Sequence, residues 1–132
     1  MIAIARNGLA LWGAAALLLP LTVVDARTPA APAKRVMLCG WMQNPTPGNW
    51  WIVDSKGEWT IGMQGGAQAK GMELIPDLSE KQWVKTNGYY GYGCGCMSAT
   101  LDQKTKSVTR IYSFKQKPLA TCRADKKLPK PD

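Results

Sequence analysis

The sequence predicts a mostly β fold: a small antiparallel sheet or barrel of about five to six short strands, stapled by two disulfides. Three observations predict it. From Trp50 onward, short runs of strand-forming residues are separated by Asp-, Asn-, Ser- and Gly-containing turn signals. The four cysteines, Cys39, Cys94, Cys96 and Cys122, all lie beyond an apolar leader, and an even count in a small exported domain reads as paired cystines. Between Tyr89 and Met97 the chain alternates glycine with larger residues, the period of an extended strand.

The leader comes first. Met1 to Asn7 carries one positive charge, Arg6, and Gly8 to Val24 is an uncharged Ala/Leu-rich run with Pro20 near its end. Val24-Asp25-Ala26 then places small residues where a signal peptidase reads them. Residues 1–26 therefore read as a secretory signal, with Thr28-Pro29-Ala30 as a second cleavage option. The competing reading is an uncleaved anchor, but a span needs about 20 apolar residues and this run is shorter and interrupted. After cleavage no transmembrane anchor is expected. Cys39 lies well past the apolar run and follows Val36-Met37-Leu38, which argues against lipid attachment. Residues 27–35 read as a Pro/Ala-rich linker, 36–122 as the compact domain and 123–132 as a flexible basic tail. The expected location is the periplasm or the exterior.

The elements follow in order. Trp50 to Val53, a turn at Asp54-Ser55-Lys56-Gly57, and Glu58 to Ile61 make a hairpin with Trp59 and Ile61 on one face and Glu58 and Thr60 on the other. Gln64 to Gly71 is Gly-rich and reads as a loop. Ser79-Glu80-Lys81-Gln82 has the form of a capping box and allows one helical turn; a strand through Gln82 to Lys85 is the alternative. Thr86-Asn87-Gly88 is a turn signal. On the strand that follows, Tyr90, Tyr92, Cys94 and Cys96 share one parity, and Gly91, Gly93 and Gly95 the other. A glycine face of this kind admits either close packing against tryptophan or a ligand groove. Met97 to Leu101, a turn over Asp102 to Ser107, and Val108 to Phe114 make a second hairpin. By alternation Val108, Arg110, Tyr112 and Phe114 share one face, and Thr109, Ile111 and Ser113 the other. Leu119 to Cys122 reads as a last short strand.

A bond between Cys94 and Cys96, two residues apart, is strained. Each is expected to reach a distant partner, Cys39 taking one and Cys122 the other, with the assignment open. Zinc and redox sites favour Cys-x-x-Cys spacing, commonly with histidine. Here the spacing is Cys-Gly-Cys and the chain has no histidine, so no metal and no cofactor is expected. The missing histidine also removes Ser-His-Asp and Cys-His catalysis, and no phosphate-binding glycine motif stands in a βα context. Carboxylate chemistry through Asp54, Glu58 or Asp102 is what an enzyme reading would have to use.

The formal net charge is +8; removing the leader takes away Arg6 and Asp25 and leaves that balance unchanged. Arg27, Lys34 and Arg35 precede the domain, and Lys126, Lys127 and Lys130 follow it. This charge supports solubility, or contact with an anionic envelope component; an exported chain offers no reason to expect nucleic acid.

Of the six tryptophans, Trp12 lies in the leader, and Trp41, Trp50, Trp51, Trp59 and Trp83 lie after it. Adjacent Trp50 and Trp51 point to opposite strand faces. Either one is exposed as a platform, or both are buried in two layers. Asn44, Asn49, Trp50, Trp51, Tyr89, Tyr90 and Tyr92 are the candidate binding residues, because Asn, Trp and Tyr cluster in two segments that the cystines would bring together.

Three segments carry a family resemblance: Cys39-Gly40-Trp41, Asn44-Pro45-Thr46-Pro47-Gly48-Asn49-Trp50-Trp51, and Thr86 to Cys96, with the closing Cys122-Arg123. Together they resemble a family of small exported bacterial proteins, domain of unknown function 4087. The resemblance implies an exported domain with cysteines at these positions and implies no activity. The expectation is a non-enzymatic binding or interaction module of the cell envelope, with a glycan or protein partner. The alternatives are a small carboxylate enzyme acting on envelope polymers, or a structural envelope protein.

Overall fold

The computed structural model describes residues 31–131. The segment read as a signal peptide and the start of the one read as a linker lie outside the described residues. Six strands form one sheet: β1 (Arg35–Thr46), β2 (Asn49–Asp54), β3 (Gly57–Gly62), β4 (Trp83–Asn87), β5 (Tyr90–Asp102) and β6 (Ser107–Lys117). A 3₁₀ turn at Met72–Leu74 and one short helix, α1 (Leu119–Ala124), complete the architecture.

The sheet runs β1-β2-β3-β6-β5-β4, and β5 pairs back onto β1. One edge of β5 meets β1 from Arg35↔Thr100 to Asn44↔Gly91. The other edge is shared end to end, by β4 opposite Tyr90 to Gly93 and by β6 opposite Cys94 to Asp102. The five strands β1, β2, β3, β6 and β5 thus close into a small barrel, and β4 extends one end of it. Its pairings are antiparallel except at the seam, where β3 meets β6 in parallel at Thr60↔Ser107.

Residues 67–71 fill that seam. The Ala69 N–H donates to the Ile61 carbonyl at 2.8 Å, the Lys70 N–H to Thr109 at 3.1 Å, and the Ile111 N–H returns to Lys70 at 2.7 Å. The segment read as a free Gly-rich loop therefore serves in part as a bridge between two strands.

The hairpins β2–β3, β4–β5 and β5–β6 form where the turn residues place them. Gly88 takes φ +59°, the positive value needed at the first central position of a type II′ turn. Trp59 and Ile61 are buried at 2% and 1% exposure while Glu58 is exposed, as alternation requires. The interior gathers Leu38 and Met42 from β1, Ile52 from β2, Trp59 and Ile61 from β3, Met97 and Ala99 from β5, and Val108 and Ile111 from β6.

On β6 the alternation expected from sequence fails. Register shifts between Ser98 and Ala99 and between Thr100 and Leu101 skip Tyr112 and Thr109 on β6. Each bulge resets the pleat, so Val108, Ile111 and Phe114 all pack on the interior cluster. The expected last strand is also corrected: Leu119–Ala124 is a helix. Pro118 precedes it with extended dihedrals and cannot donate to a ladder, and the Thr121 N–H closes the first turn onto the Pro118 carbonyl. The Ser79–Gln82 helical turn does not form; the alternative, a strand entering at Trp83, does. A first strand over Arg35–Thr46 is present that the local pattern did not announce.

Two disulfides are present, Cys39–Cys96 and Cys94–Cys122. Each end of the domain is tied to the Cys-Gly-Cys stretch of β5, as the spacing requires, and the open assignment is resolved. Cys39 faces Cys96 directly across β1 and β5. Cys94–Cys122 pins α1 to the outer face of the barrel, where Trp41, Val53, Cys94 and Cys122 form a second apolar cluster with Trp51, Tyr92, Leu119 and Leu128 against it. The segment read as a loose tail carries the end of α1 and places Leu128 on this cluster.

Candidate functional site

The glycine face of β5 is covered. A Cβ on Gly93 would stand 2.8 Å from the Trp83 ring, and one on Gly95 would stand 2.5 Å from the Phe114 ring. The packing reading of these glycines holds, and there is no groove floored by them.

What the glycines permit is a tryptophan ring packed closely on β5. Trp83 pairs with Gly93, is half-buried, and donates its indole N–H to the Tyr89 carbonyl at 3.0 Å. Trp50 reaches toward it from β2, with ring centroids 6.4 Å apart and planes at 44°. These two rings wall a cleft of about 590 Å³ that also takes in Asn44, Tyr89 and Tyr90. Its far wall is the segment from Pro76 to Glu80.

That wall is anchored from three sides. Leu78 is buried at 3% exposure and belongs to the interior cluster. Gln116 of β6 donates its side-chain N–H groups to the carbonyls of Leu78 at 3.2 Å and Lys81 at 2.7 Å. Gln82 accepts from the Leu119 N–H at 2.9 Å, linking the segment to α1. Between these anchors Asp77 makes an Asx turn: its Oδ1 accepts the Ser79 N–H at 2.9 Å and the Ser79 hydroxyl at 2.7 Å. Those two bonds, with the nearby Lys85 charge, lower the Asp77 pKa below the usual carboxylate value.

The seven sequence candidates divide. Asn44, Trp50, Tyr89 and Tyr90 line the cleft. Asn44 sits where β1 meets Gly91 of β5, and its side-chain N–H groups donate to the carbonyls of Thr46 at 2.9 Å and Asn49 at 2.7 Å. Asn49, Trp51 and Tyr92 lie outside it. Asn49 fixes the β1–β2 turn by donating to the Thr46 hydroxyl at 2.7 Å and accepting the Gln64 N–H at 2.9 Å. Trp51 is on the opposite face, half-buried on the outer cluster, with its indole N–H donated to Gln43 at 2.9 Å. Tyr92 meets Trp41 edge-to-face on that side, with centroids 5.5 Å apart. The adjacent tryptophans thus split between two layers, neither fully buried.

Sequence reasoning missed Asp77, Glu80 and Trp83 as site residues. The Asp-x-Ser spacing of an Asx turn was the available signal for the first. The three carboxylates named from sequence for an enzyme reading lie outside the cleft. Asp54 is buried and accepts from the Lys56 N–H at 2.7 Å and the Trp59 indole at 3.3 Å. Asp102 accepts the Lys104 and Thr105 N–H groups of the β5–β6 turn, which lower its pKa. Glu58 is exposed opposite Val53.

A small cystine-stapled β barrel with an aromatic cleft at one end is the class these features define. The chain belongs to the family described as Protein of unknown function (DUF4087), whose model matches residues 33–129. No curated protein and no solved structure matches it. The two disulfides suggest a non-cytoplasmic location, and no helix among the described residues is long and apolar enough to cross a membrane.

Proposed function

We propose that this chain is a non-enzymatic binding module of the cell envelope and that it takes its ligand, part of an envelope glycan or protein, in the cleft beside Trp50 and Trp83. The observation that carries the reading is the cleft itself: two half-buried indoles face a wall held by Leu78, Gln116 and Gln82. Binding sites are commonly preformed concavities of this size with aromatic walls and a few placed polar groups. Asp54 and Asp102, two of the carboxylates named for the enzyme reading, are engaged in turns outside this cleft.

The test is retention of the mature chain on purified cell-wall sacculi and on immobilised envelope extract. Trp50→Ala is expected to reduce retention by about tenfold or more, the loss typical of a buried aromatic anchor. Trp51→Ala, which alters the opposite face, is expected to leave it unchanged. Equal retention of both variants and the parent, or no retention of the parent, would count against the cleft. Export is tested separately: fractionation should find the chain outside the cytoplasm with an N-terminus following Ala26.

A further inference from the structure

We infer that the cleft selects a ligand bearing an organic ammonium group; this rests on the binding reading above and names the chemistry of the occupant. The charged side chains that line the cleft are Asp77 and Glu80, both carboxylates. Both Ser79 donors converge on Oδ1 of Asp77, and the second oxygen, Oδ2, is left to meet a ligand. The Asn44 side-chain N–H groups are already spent on Thr46 and Asn49, so this residue can offer a ligand only its oxygen. The Trp83 indole N–H is spent on Tyr89, so this ring presents its π face. Ser79, the hydroxyl on that wall, is committed to Asp77. The Trp50 indole N–H and the Tyr89 and Tyr90 hydroxyls are donors as well, so what marks the cleft is its charge: two carboxylates and, among the described residues, no cationic side chain in its lining, beside four aromatic rings.

An anion would be repelled by Asp77 and Glu80. A neutral sugar would find donors and acceptors but would gain nothing from the two charges. An ammonium group donates only, is attracted by carboxylates, and is attracted by the faces of Trp and Tyr within about 6 Å. Lys85 shows the second attraction at the rim, with its Nζ 4.9 Å from the Tyr89 ring centroid. Lys85 also limits the ligand, because it supplies one positive charge beside Asp77. The formal net charge of +8 acts in the same direction. The occupant is accordingly a ligand with one or two ammonium groups, since a polycation would be repelled by the rest of the surface.

Two envelope sources carry this chemistry, the lysine-type amine of a peptide and the amine of a deacetylated amino sugar. The experiment uses the mature chain and follows the indole N–H resonances of Trp50 and Trp83 by NMR. The probes are Nα-acetyl-lysine amide and glucosamine, with Nα,Nε-diacetyl-lysine amide and N-acetylglucosamine as their neutral counterparts. At least one amine is expected to bind roughly tenfold more tightly than its acetylated form, from carboxylate attraction and cation–π contact acting together. Which of the two shifts the resonances identifies the source. Asp77→Asn, which keeps an oxygen for the Ser79 turn while removing the charge, and Glu80→Gln are each expected to abolish that preference. Equal binding of charged and neutral probes would overturn the inference and leave the cleft as a binding site. Absence of binding by all four would also overturn it, while Trp50-dependent retention on sacculi would still support the broader reading.

Discussion

Asp77 holds its charge because one neighbour supplies two donors to a single oxygen. Its pKa is lowered first by the Ser79 hydroxyl, then by the Ser79 N–H, with a smaller contribution from Lys85. Ser79, Lys85 and Glu80 are the polar groups around it in the wall and on β4. Since the folded value lies below the unfolded one, the stabilisation from these bonds is present above about pH 3.9 and is lost as the pH falls through the lowered folded value. Side-chain carboxyl titration by NMR should find Asp77 protonating at lower pH than an ordinary aspartate. Ser79→Ala should move the midpoint up, because it removes the largest cause and leaves the backbone bond. An unchanged midpoint would show that the hydroxyl is not what holds the charge. Amine binding in the cleft should be lost once Asp77 takes its proton.

At the scale of elements, α1 is the part least able to stand alone. A helix of six residues is too short to be stable in water without tertiary support, and this one rests on Leu119, Cys122 and the bond to Cys94. Cys94 and Cys122 are 28 residues apart, for which the chain-entropy model gives about 3–4 kcal/mol. Replacing both by alanine should cost stability of this order and leave the α1 amides unprotected in hydrogen exchange. The β1–β5 amides should keep their protection, because that ladder runs from Arg35 to Asn44 without this bond. Loss of protection in both places would show that the disulfide holds the barrel and not only the helix.

The two elements also show what can be read locally. The hairpins were legible because Asp54-Ser55-Lys56-Gly57 and Asn87-Gly88 carry their own turn chemistry. The cystine layout was legible from the two-residue separation of Cys94 and Cys96. β1 was not, because it buries side chains on both faces, Met42 inward and Trp41 outward, and so lacks a period of two. The bulges of β6 arise from pairing with β5, and α1 is too short to show a helical period. Half the cleft was legible as Asn, Trp and Tyr near one another. Asp77, Glu80 and Trp83 were not, since Gln116 and Leu119, more than thirty residues away, position their segment.

On the scale of the whole molecule, one stretch of chain supplies both the closure of the barrel and the wall of the cleft. The barrel closes at a single parallel contact between β3 and β6, reinforced by residues 67–71. The same segment continues through Gly71 to Met72 and Ile75, which pack on the interior cluster, and then to the Pro76–Glu80 wall. Gly71 is the joint. It holds φ +85°, and a Cβ there would strike the Ile111 carbonyl of β6. Gly65 offers a control on the same loop: it holds φ +70° with nothing near its missing Cβ. Gly65→Ala should cost only the left-handed backbone term, about 1–2 kcal/mol. Gly71→Ala should add about 1–3 kcal/mol for the overpacked contact. Urea denaturation followed by tryptophan fluorescence measures both. If the joint couples the two ends, the folded fraction of Gly71→Ala should also lose amine binding, while Gly65→Ala keeps it. Equal costs with binding intact in both would mean that the seam and the cleft wall are independent.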